Sequence, residues 1–150
     1  MEVDRDAPAV ARSEAQIEAD PETVWDVLIA FEDWPGWNPD VKSVRLEGAL
    51  QEGTVFRWQA GRAMITSTLR QLERPRLLAW TGKTTGIRAV HVWSLEPRDG
   101  GTLARTEESW DGLLVRILRG RMQKSLQKAM DGGVRYLKAE AERRAQHPQG

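Results

Sequence analysis

The chain contains no cysteine, and this absence excludes disulfide bonds and thiolate chemistry. It has only two histidines, which excludes a polyhistidine metal site within one chain. A formal net charge of +0 gives no reason to expect nucleic acid or an acidic membrane as a partner. No apolar run approaches the roughly 20 residues of a membrane span, and the first residues are acidic rather than signal-like. We therefore expect a cytoplasmic domain without a cofactor; nothing indicates its oligomeric state.

Tryptophan is abundant, with seven in 150 residues, and the C-terminal third is strongly periodic. From Leu113 to Arg144, apolar residues recur every three or four positions, which predicts one long α-helix with a single buried stripe. At 1.5 Å per residue this helix is about 45 Å long, too long for one small helix to cover, so a wide sheet is its expected partner. The stripe consists of Leu114, Leu118, Met122, Leu126, Met130, Val134, Leu137 and Ala141.

Two features of this helix have alternative interpretations. Four basic residues are predicted to form a solvated face of the helix, and the alternative is that they meet an anionic ligand or partner. They are Arg116, Arg119, Arg121 and Lys124. Gly132-Gly133 in the middle of the helix costs about 1 kcal/mol per residue relative to alanine. A bend or a close backbone approach would explain the pair, and a simple weak point in the helix is the other possibility.

The first third of the chain predicts a strand followed by two short helices. Small residues alternate with polar ones over Ala9–Ala19, as in a half-buried strand. Asp20-Pro21 is a helix start, with an aspartate cap and a proline in the first turn. Trp34 and Trp37 lie in the proline- and glycine-containing loop that ends this helix, where they either close a cavity or anchor the loop. The buried side of the first helix is predicted to be Val24, Trp25, Val27, Leu28 and Phe31.

Strands are predicted over Val41–Glu47, 53–59, 62–72 and 77–82, with a hairpin turn at Ala60-Gly61. A two-residue loop there pairs Trp58 with Ala63 and Phe56 with Ile65. A tight turn after residue 72 places Trp80 beside Leu69 on the same face of the sheet.

The last hairpin turns at Asp99-Gly100 and joins strands over 87–96 and 102–110. Its register places Trp93 opposite Thr106, His91 opposite Glu108, and Ala89 opposite Trp110. A turn at Gly100-Gly101 would slide the pairing by two residues without changing the faces. The opposite face is expected to meet water: Arg88, Val90, Val92, Ser94, Arg105, Glu107 and Ser109.

The predicted fold is α+β: a strand, two short helices, six further antiparallel strands, and a long helix packed on the inner face of a curved sheet. One domain is expected over residues 9–144, with flexible tails at 1–8 and 145–150.

Several segments together resemble a known superfamily over residues 9–143. They are Asp20-Pro-Glu-Thr-Val-Trp-Asp-Val-Leu, Trp34-Pro-Gly-Trp-Asn-Pro-Asp-Val, Gly53-Thr-Val-Phe-Arg-Trp, Leu78-Ala-Trp-Thr-Gly, Gly86-Ile-Arg-Ala-Val-His-Val-Trp and Thr106-Glu-Glu-Ser-Trp-Asp-Gly. The chain resembles the START-like, helix-grip superfamily in its polyketide cyclase/dehydrase and lipid-transport (SRPBCC) branch. This resemblance implies seven strands that grip the C-terminal helix around a hydrophobic cavity. It implies no single activity, and no catalytic residue is carried over.

The predicted inner face combines mostly apolar walls with a few polar groups, which is typical of a small-molecule site. We expect a hydrophobic aromatic or lipid-like molecule to bind there; simple core filling is the alternative for each ring. A polyketide cyclase or dehydratase acting on such a ligand is the alternative function, and a protein-interaction module is a third. The predicted lining is Phe56, Trp58, Ile65, Ser67, Trp80, His91, Trp93, Thr106, Glu108, Met122, Leu126 and Met130.

His91 and Glu108 are the candidate catalytic residues, because a carboxylate beside an imidazole can form an acid–base pair. Two other interpretations stay open. The pair satisfies its own buried polar groups, or it hydrogen-bonds a ligand. A single histidine with one glutamate is a poor zinc site. The sequence does not decide whether the protein is an enzyme.

Overall fold

The strands and helices follow one another in the predicted order in a computed structural model, which describes residues 1–147. A short 3-10 helix at Phe31–Gly36 separates the first helix from the second strand. The strands are β1 (Ala9–Ile17), β2 (Val41–Glu47), β3 (Val55–Ala60), β4 (Ala63–Glu73), β5 (Leu77–Thr84), β6 (Ile87–Arg98) and β7 (Gly101–Asp111). The helices are α1 (Pro21–Ile29), α2 (Leu113–Ile117) and α3 (Arg119–Gln146).

One antiparallel sheet of seven strands has the order β1-β7-β6-β5-β4-β3-β2, and its inner face carries α3. The predicted α+β architecture is confirmed. The β6–β7 register is also confirmed: His91 pairs with Glu108 and Trp93 with Thr106. Asp99 has φ 51° and Gly100 has φ 77° at the turn, the left-handed conformation that Asp-Gly adopts in tight hairpins.

The predicted turn between β3 and β4 is wrong by one residue, which shifts the predicted strand pairing by two residues. Ala60 pairs with Ala63, so the turn is Gly61-Arg62 rather than Ala60-Gly61. Gly61 has φ 58° and therefore occupies the turn position that alanine would strain. Trp58 consequently pairs with Ile65. Because the pairing shifts by an even number of residues, the side chains stay on the predicted face. Leu69 lies beside Trp80 as predicted, next to a β-bulge.

The single long helix predicted from residue 113 is interrupted. Leu118, with φ −113° and ψ 41°, separates α2 from α3. The backbone N–H of Leu114 donates to the Gly86 carbonyl at 3.3 Å, so α2 folds over the end of the β5–β6 hairpin. The break at Leu118 changes which side of α2 faces the core. Val115 is therefore buried and Leu114 is exposed, which differs from the predicted stripe.

The glycine pair inside α3 marks a close approach of the helix to its neighbours. A Cβ on Gly132 would lie 3.3 Å from the Tyr136 ring and 3.5 Å from the Asp40 carboxylate. A Cβ on Gly133 would lie 3.6 Å from the Trp93 ring. The helix therefore approaches the sheet closely at the level of Trp93.

The buried side chains form two clusters, one at each end of the sheet. One cluster packs α1 and the C-terminal half of α3 on the sheet and contains all the predicted buried residues of α1 and Phe31. The other joins β1, α2 and the N-terminal half of α3 through Ala9, Ala11, Val115, Leu126 and Met130. Trp93 belongs to the first cluster and Met130 to the second, and both border a cavity that lies between the clusters.

The N-terminal residues lie on the outer face of the sheet. The Asp4 N–H donates to Ser109 Oγ at 3.0 Å, and Arg5 lies 3.2 Å from Glu107. Val3 is buried there, and so is Ser109, which was expected to meet water. The expected flexible tail at 1–8 thus has defined contacts. At the other end α3 continues to Gln146, and residues 148–150 of the expected second tail lie outside the described part of the chain.

Candidate functional site

A cavity of about 270 Å³ lies between the inner face of the sheet, α3 and the segment that precedes β2. Its size is near the lower end of the range for small-molecule pockets. Every tryptophan except Trp25 lines it. The lining consists of Leu28, Trp34, Trp37, Asn38, Asp40, Val41, Trp58, Ala60, Ala63, Ile65, Ser67, Trp80, Gly82, Lys83, Thr84, Ile87, Ala89, His91, Trp93, Thr106, Glu108, Trp110, Ala129, Met130 and Gly133.

The structure brings most of the predicted lining residues to this cavity: Trp58, Ile65, Ser67, Trp80, His91, Trp93, Thr106, Glu108 and Met130. It places three elsewhere. Phe56 is fully buried against Phe31, with ring centroids 4.8 Å apart. Leu126 is buried in the cluster under α2, and Met122 packs at the edge of that cluster. These three side chains point to the predicted side but lie beyond the ends of the cavity.

Several lining residues were missing from the predicted set. Ala89 and Trp110 share the face of His91 in the predicted register, so the hairpin pairing already contained the signal for both. Gly82 lacks such a signal: a Cβ there would lie 2.9 Å from Ser67 Oγ, so its absence keeps room for that side chain.

The Pro-Gly loop contributes both of its tryptophans to the cavity. Trp34 also anchors the loop, because its Nε1–H donates to the Leu28 carbonyl at 2.9 Å and its ring stacks on Phe31 at 4.6 Å. Trp37 is only partly buried, and its Nε1 is buried without a hydrogen-bond partner among residues 1–147. The two alternatives from the sequence thus coexist: one ring anchors the loop and both border the cavity.

A chain of polar contacts crosses the apolar wall. The Trp110 Nε1–H donates to Glu108 Oε2 at 3.0 Å, and Glu108 Oε1 lies 3.3 Å from His91 Nδ1. On the other side of the ring, His91 Nε2 is 2.7 Å from Thr106 Oγ1. The Thr106 hydroxyl is 3.6 Å from Met130 Sδ, to which it donates. Because the Thr106 hydroxyl gives its hydrogen to Met130, its oxygen accepts the bond from His91. His91 Nε2 therefore carries the imidazole proton, and Nδ1 is left as an acceptor that faces Glu108.

Burial favours the neutral form of both members of the His91–Glu108 pair. It lowers the pKa of His91 to about 3. It raises the pKa of Glu108 to about 7, while the hydrogen bond from Trp110 opposes that rise. The distance of 3.3 Å alone would suggest an ion pair, but the buried His91 Nδ1 makes no hydrogen bond as a donor within residues 1–147. A protonated Glu108 that donates from Oε1 to Nδ1 satisfies both groups, so we assign the neutral pair.

The aromatic wall is continuous with this polar chain. The Trp80 and His91 rings are 4.5 Å apart, and His91 stacks on Trp93 at 5.9 Å. Farther along, the Trp58 Nε1–H donates to Ser67 Oγ at 3.0 Å. The cavity therefore offers flat apolar surfaces together with a small number of oriented polar atoms at one wall, which suits a mostly apolar ligand with one polar group.

Within residues 1–147, no group of three or more His, Cys, Asp or Glu side chains is arranged to hold a metal ion. Over the same residues, none of the helices is both long enough and apolar enough to span a bilayer.

Comparison with known proteins agrees with this architecture. The model of the family described as polyketide cyclase / dehydrase and lipid transport matches residues 8–142. A hypothetical protein from Helicobacter pylori has a similar structure, with TM-score 0.81 and 16% identity over 91% of this chain and 90% of that chain. None of the curated proteins matches the chain in sequence.

Two further solved structures are similar. Zhui aromatase/cyclase from Streptomyces sp. R1128 has TM-score 0.79 and 16% identity over 91% of this chain and 94% of that chain. A START superfamily protein from Mycobacterium smegmatis has TM-score 0.65 and 18% identity over 85% of this chain and 98% of that chain. Identities this low show the fold alone. The START-like, helix-grip resemblance seen in the sequence is confirmed.

Proposed function

The chain belongs to the polyketide cyclase/dehydrase and lipid transport family, and on this premise we propose that it binds a small hydrophobic molecule between the sheet and α3. The observation that carries the proposal is the cavity of about 270 Å³, which separates two buried clusters. An unfilled hollow of this size costs stability, because its walls lose packing contacts. A fold that keeps such a hollow, lined by aromatic rings, is suited to a guest molecule.

The wall chemistry favours an uncharged, flat ligand with one polar group. The tryptophan rings supply large apolar faces, and the neutral His91–Glu108 pair supplies a polar wall without charge. A charged ligand group placed there would lose its hydration without gaining an opposite charge. Trp37 Nε1, which is buried and unpartnered within the described residues, is a further donor for such a guest.

The binding test begins with native mass spectrometry of freshly purified protein, in search of a co-purified small molecule. The second step is a titration with N-phenyl-1-naphthylamine, a neutral aromatic probe. Ala89→Phe fills part of the cavity, and Val90→Phe is its matched control on the outer face of the same strand. We expect Ala89→Phe to weaken probe binding at least about 10-fold and Val90→Phe to change it less than about 3-fold. Equal probe affinity in both variants would contradict the proposal.

A second candidate function is catalysis on such a ligand by a cyclase or dehydratase. The observation that favours it is Glu108 beside His91, because burial raises the pKa of this carboxyl to about 7, the range in which a general acid or base works best near neutral pH. Glu108→Gln separates the two functions. Loss of turnover of a compound recovered by mass spectrometry, with probe binding retained, indicates an enzyme. Loss of probe binding itself indicates that Glu108 serves ligand binding.

A further inference from the structure

Large apolar side chains are exposed at one end of the molecule. Leu113 and Ile117 on α2 are 72% and 68% exposed, and Met64 at the start of β4 is 60% exposed. Because large exposed apolar groups are unfavourable in water, a cluster of them marks a candidate interaction surface. We call this end the cavity-end surface; it consists of the β3–β4 turn, the β5–β6 turn and α2.

The sheet register brings these parts together. Thr84 pairs with Ile87 around the β5–β6 turn, and the Thr84 hydroxyl donates to the Met64 carbonyl at 2.9 Å. The helix α2 is joined to the same turn through the Gly86 carbonyl. Its inward residue Val115 belongs to the buried cluster against which Ile87 and Trp110 pack, and these two residues line the cavity. The outward residues of α2 therefore cover the end of the cavity.

Positive charge is concentrated around this apolar cluster, although the formal net charge of the whole chain is +0. The acidic side chains nearby include Asp4, Asp6, Asp40 and Asp111. Asp111 is already paired with Arg116, at 3.0 Å, and lies 3.9 Å from Arg88. The basic side chains at this end are Lys42, Arg62, Lys83, Arg88, Arg116, Arg119, Arg121 and Lys124. The absence of net charge thus conceals a strongly asymmetric distribution.

We propose that the cavity-end surface docks on a lipid bilayer that contains anionic lipids. Anionic headgroups complement the ring of cations, and the interface beneath them accepts Leu113, Ile117 and Met64. These side chains protrude on a short helix and a strand end, which fits a deformable bilayer better than a folded protein surface. The proposal does not depend on the identity of the cavity ligand or on ligand binding as such.

The test is cosedimentation of the full chain with phosphatidylcholine vesicles that contain or lack phosphatidylglycerol. We expect binding to the anionic vesicles, with at least about 10-fold weaker binding to vesicles of phosphatidylcholine alone. Leu113→Ser/Ile117→Ser is expected to weaken anionic-vesicle binding at least about 10-fold. Both positions are exposed, so urea unfolding should show little change in stability.

A matched pair of charge variants tests the location. Arg119→Glu/Arg121→Glu changes the cavity-end surface and should weaken vesicle binding at least about 10-fold. Arg76→Glu/Arg98→Glu makes the same net charge change at the turns of the opposite end, and binding should change less than about 3-fold.

Three outcomes would overturn the proposal. The first is no binding of the wild-type chain to anionic vesicles. The second is equal weakening by the two charge pairs, which would mean that net charge rather than the cavity-end surface decides. The third is a dimer in sedimentation equilibrium that Leu113→Ser/Ile117→Ser dissociates, because a second copy would then cover this surface.

Discussion

Glu108 is a carboxyl group buried beside the cavity, and its replacement by glutamine tests whether it is neutral there. Glutamine keeps the shape of a protonated glutamate, accepts a hydrogen bond from Trp110 and donates one to His91 Nδ1. It lacks the ability to ionise. If the folded protein holds Glu108 in its neutral form, Glu108→Gln leaves the native contacts in place and removes the cost of protonating the carboxyl on folding.

The pKa values give the sign and the magnitude of the change in folding stability with pH. Burial raises the pKa of Glu108 from 4.5 to about 7, so its contribution to stability is present below pH 4.5 and is lost as the pH rises through about 7. The loss amounts to about 3 kcal/mol. Burial lowers the pKa of His91 from 6.5 to about 3, so stability also falls as the pH drops below 6.5. His91 is present in both proteins, and its effect cancels in the comparison.

Urea unfolding followed by tryptophan fluorescence measures the difference in free energy of unfolding between the wild type and Glu108→Gln. At about pH 4.5 the free energies of unfolding should agree within about 1 kcal/mol, and at about pH 7.5 Glu108→Gln should be the more stable by up to about 3 kcal/mol. Glu107→Gln is the control on the outer face, where loss of the pair between half-buried Glu107 and exposed Arg5 should cost about 1 kcal/mol. Destabilisation of Glu108→Gln by several kcal/mol at about pH 7.5 would refute the neutral pair, because it would show a charged Glu108 that compensates a charged His91.

Three further substitutions test packing around the cavity. Gly82→Ala places a Cβ 2.9 Å from Ser67 Oγ and should cost about 1–2 kcal/mol in urea unfolding. Gly120→Ala, where nothing in the described part of the chain lies within 4 Å, should stabilise by up to about 1 kcal/mol because alanine favours the helix, and equal losses in the two variants would contradict the close approach. Thr106→Val removes the hydroxyl that contacts His91 Nε2 and should cost about 1–3 kcal/mol, with Thr106→Ser restoring most of the stability; equal stability of the Val and Ser variants would exclude that role. Leu126→Ala should cost about 2–5 kcal/mol without weakening binding of N-phenyl-1-naphthylamine, and a parallel loss of binding would place Leu126 at the cavity.

The accuracy of the sequence predictions depends on what each local signal determines. The Asp99-Gly100 turn needs left-handed backbone at both positions, so it determines the β6–β7 register to the residue. The Ala60-Gly61-Arg62 segment contains one glycine that fits either central position of a two-residue turn. The predicted β3–β4 pairing was therefore displaced by two residues. The face of Trp58 was still predicted, because side chains alternate with a period of two.

Periodicity determines which side of an element is buried, but it does not determine the level at which a residue lies along the molecule. Phe56 and Leu126 are both on the predicted face, yet they belong to the two packed clusters rather than to the cavity between them. The interruption at Leu118 has no local sequence signal either, since no proline or glycine stands there. It results from the contact of α2 with Gly86, a tertiary interaction between residues distant in the sequence.

The cavity and the buried carboxyl both reduce the stability of the fold, and they occur at the same place. An unfilled hollow leaves its walls without packing contacts, and burial of Glu108 costs about 3 kcal/mol above neutral pH. The packing of the two buried clusters on either side must offset both losses of stability. A random packing defect would not also collect most of the tryptophans and an oriented chain of donors and acceptors. The coincidence of these costs in one place therefore favours a role for the cavity in binding over incomplete core packing.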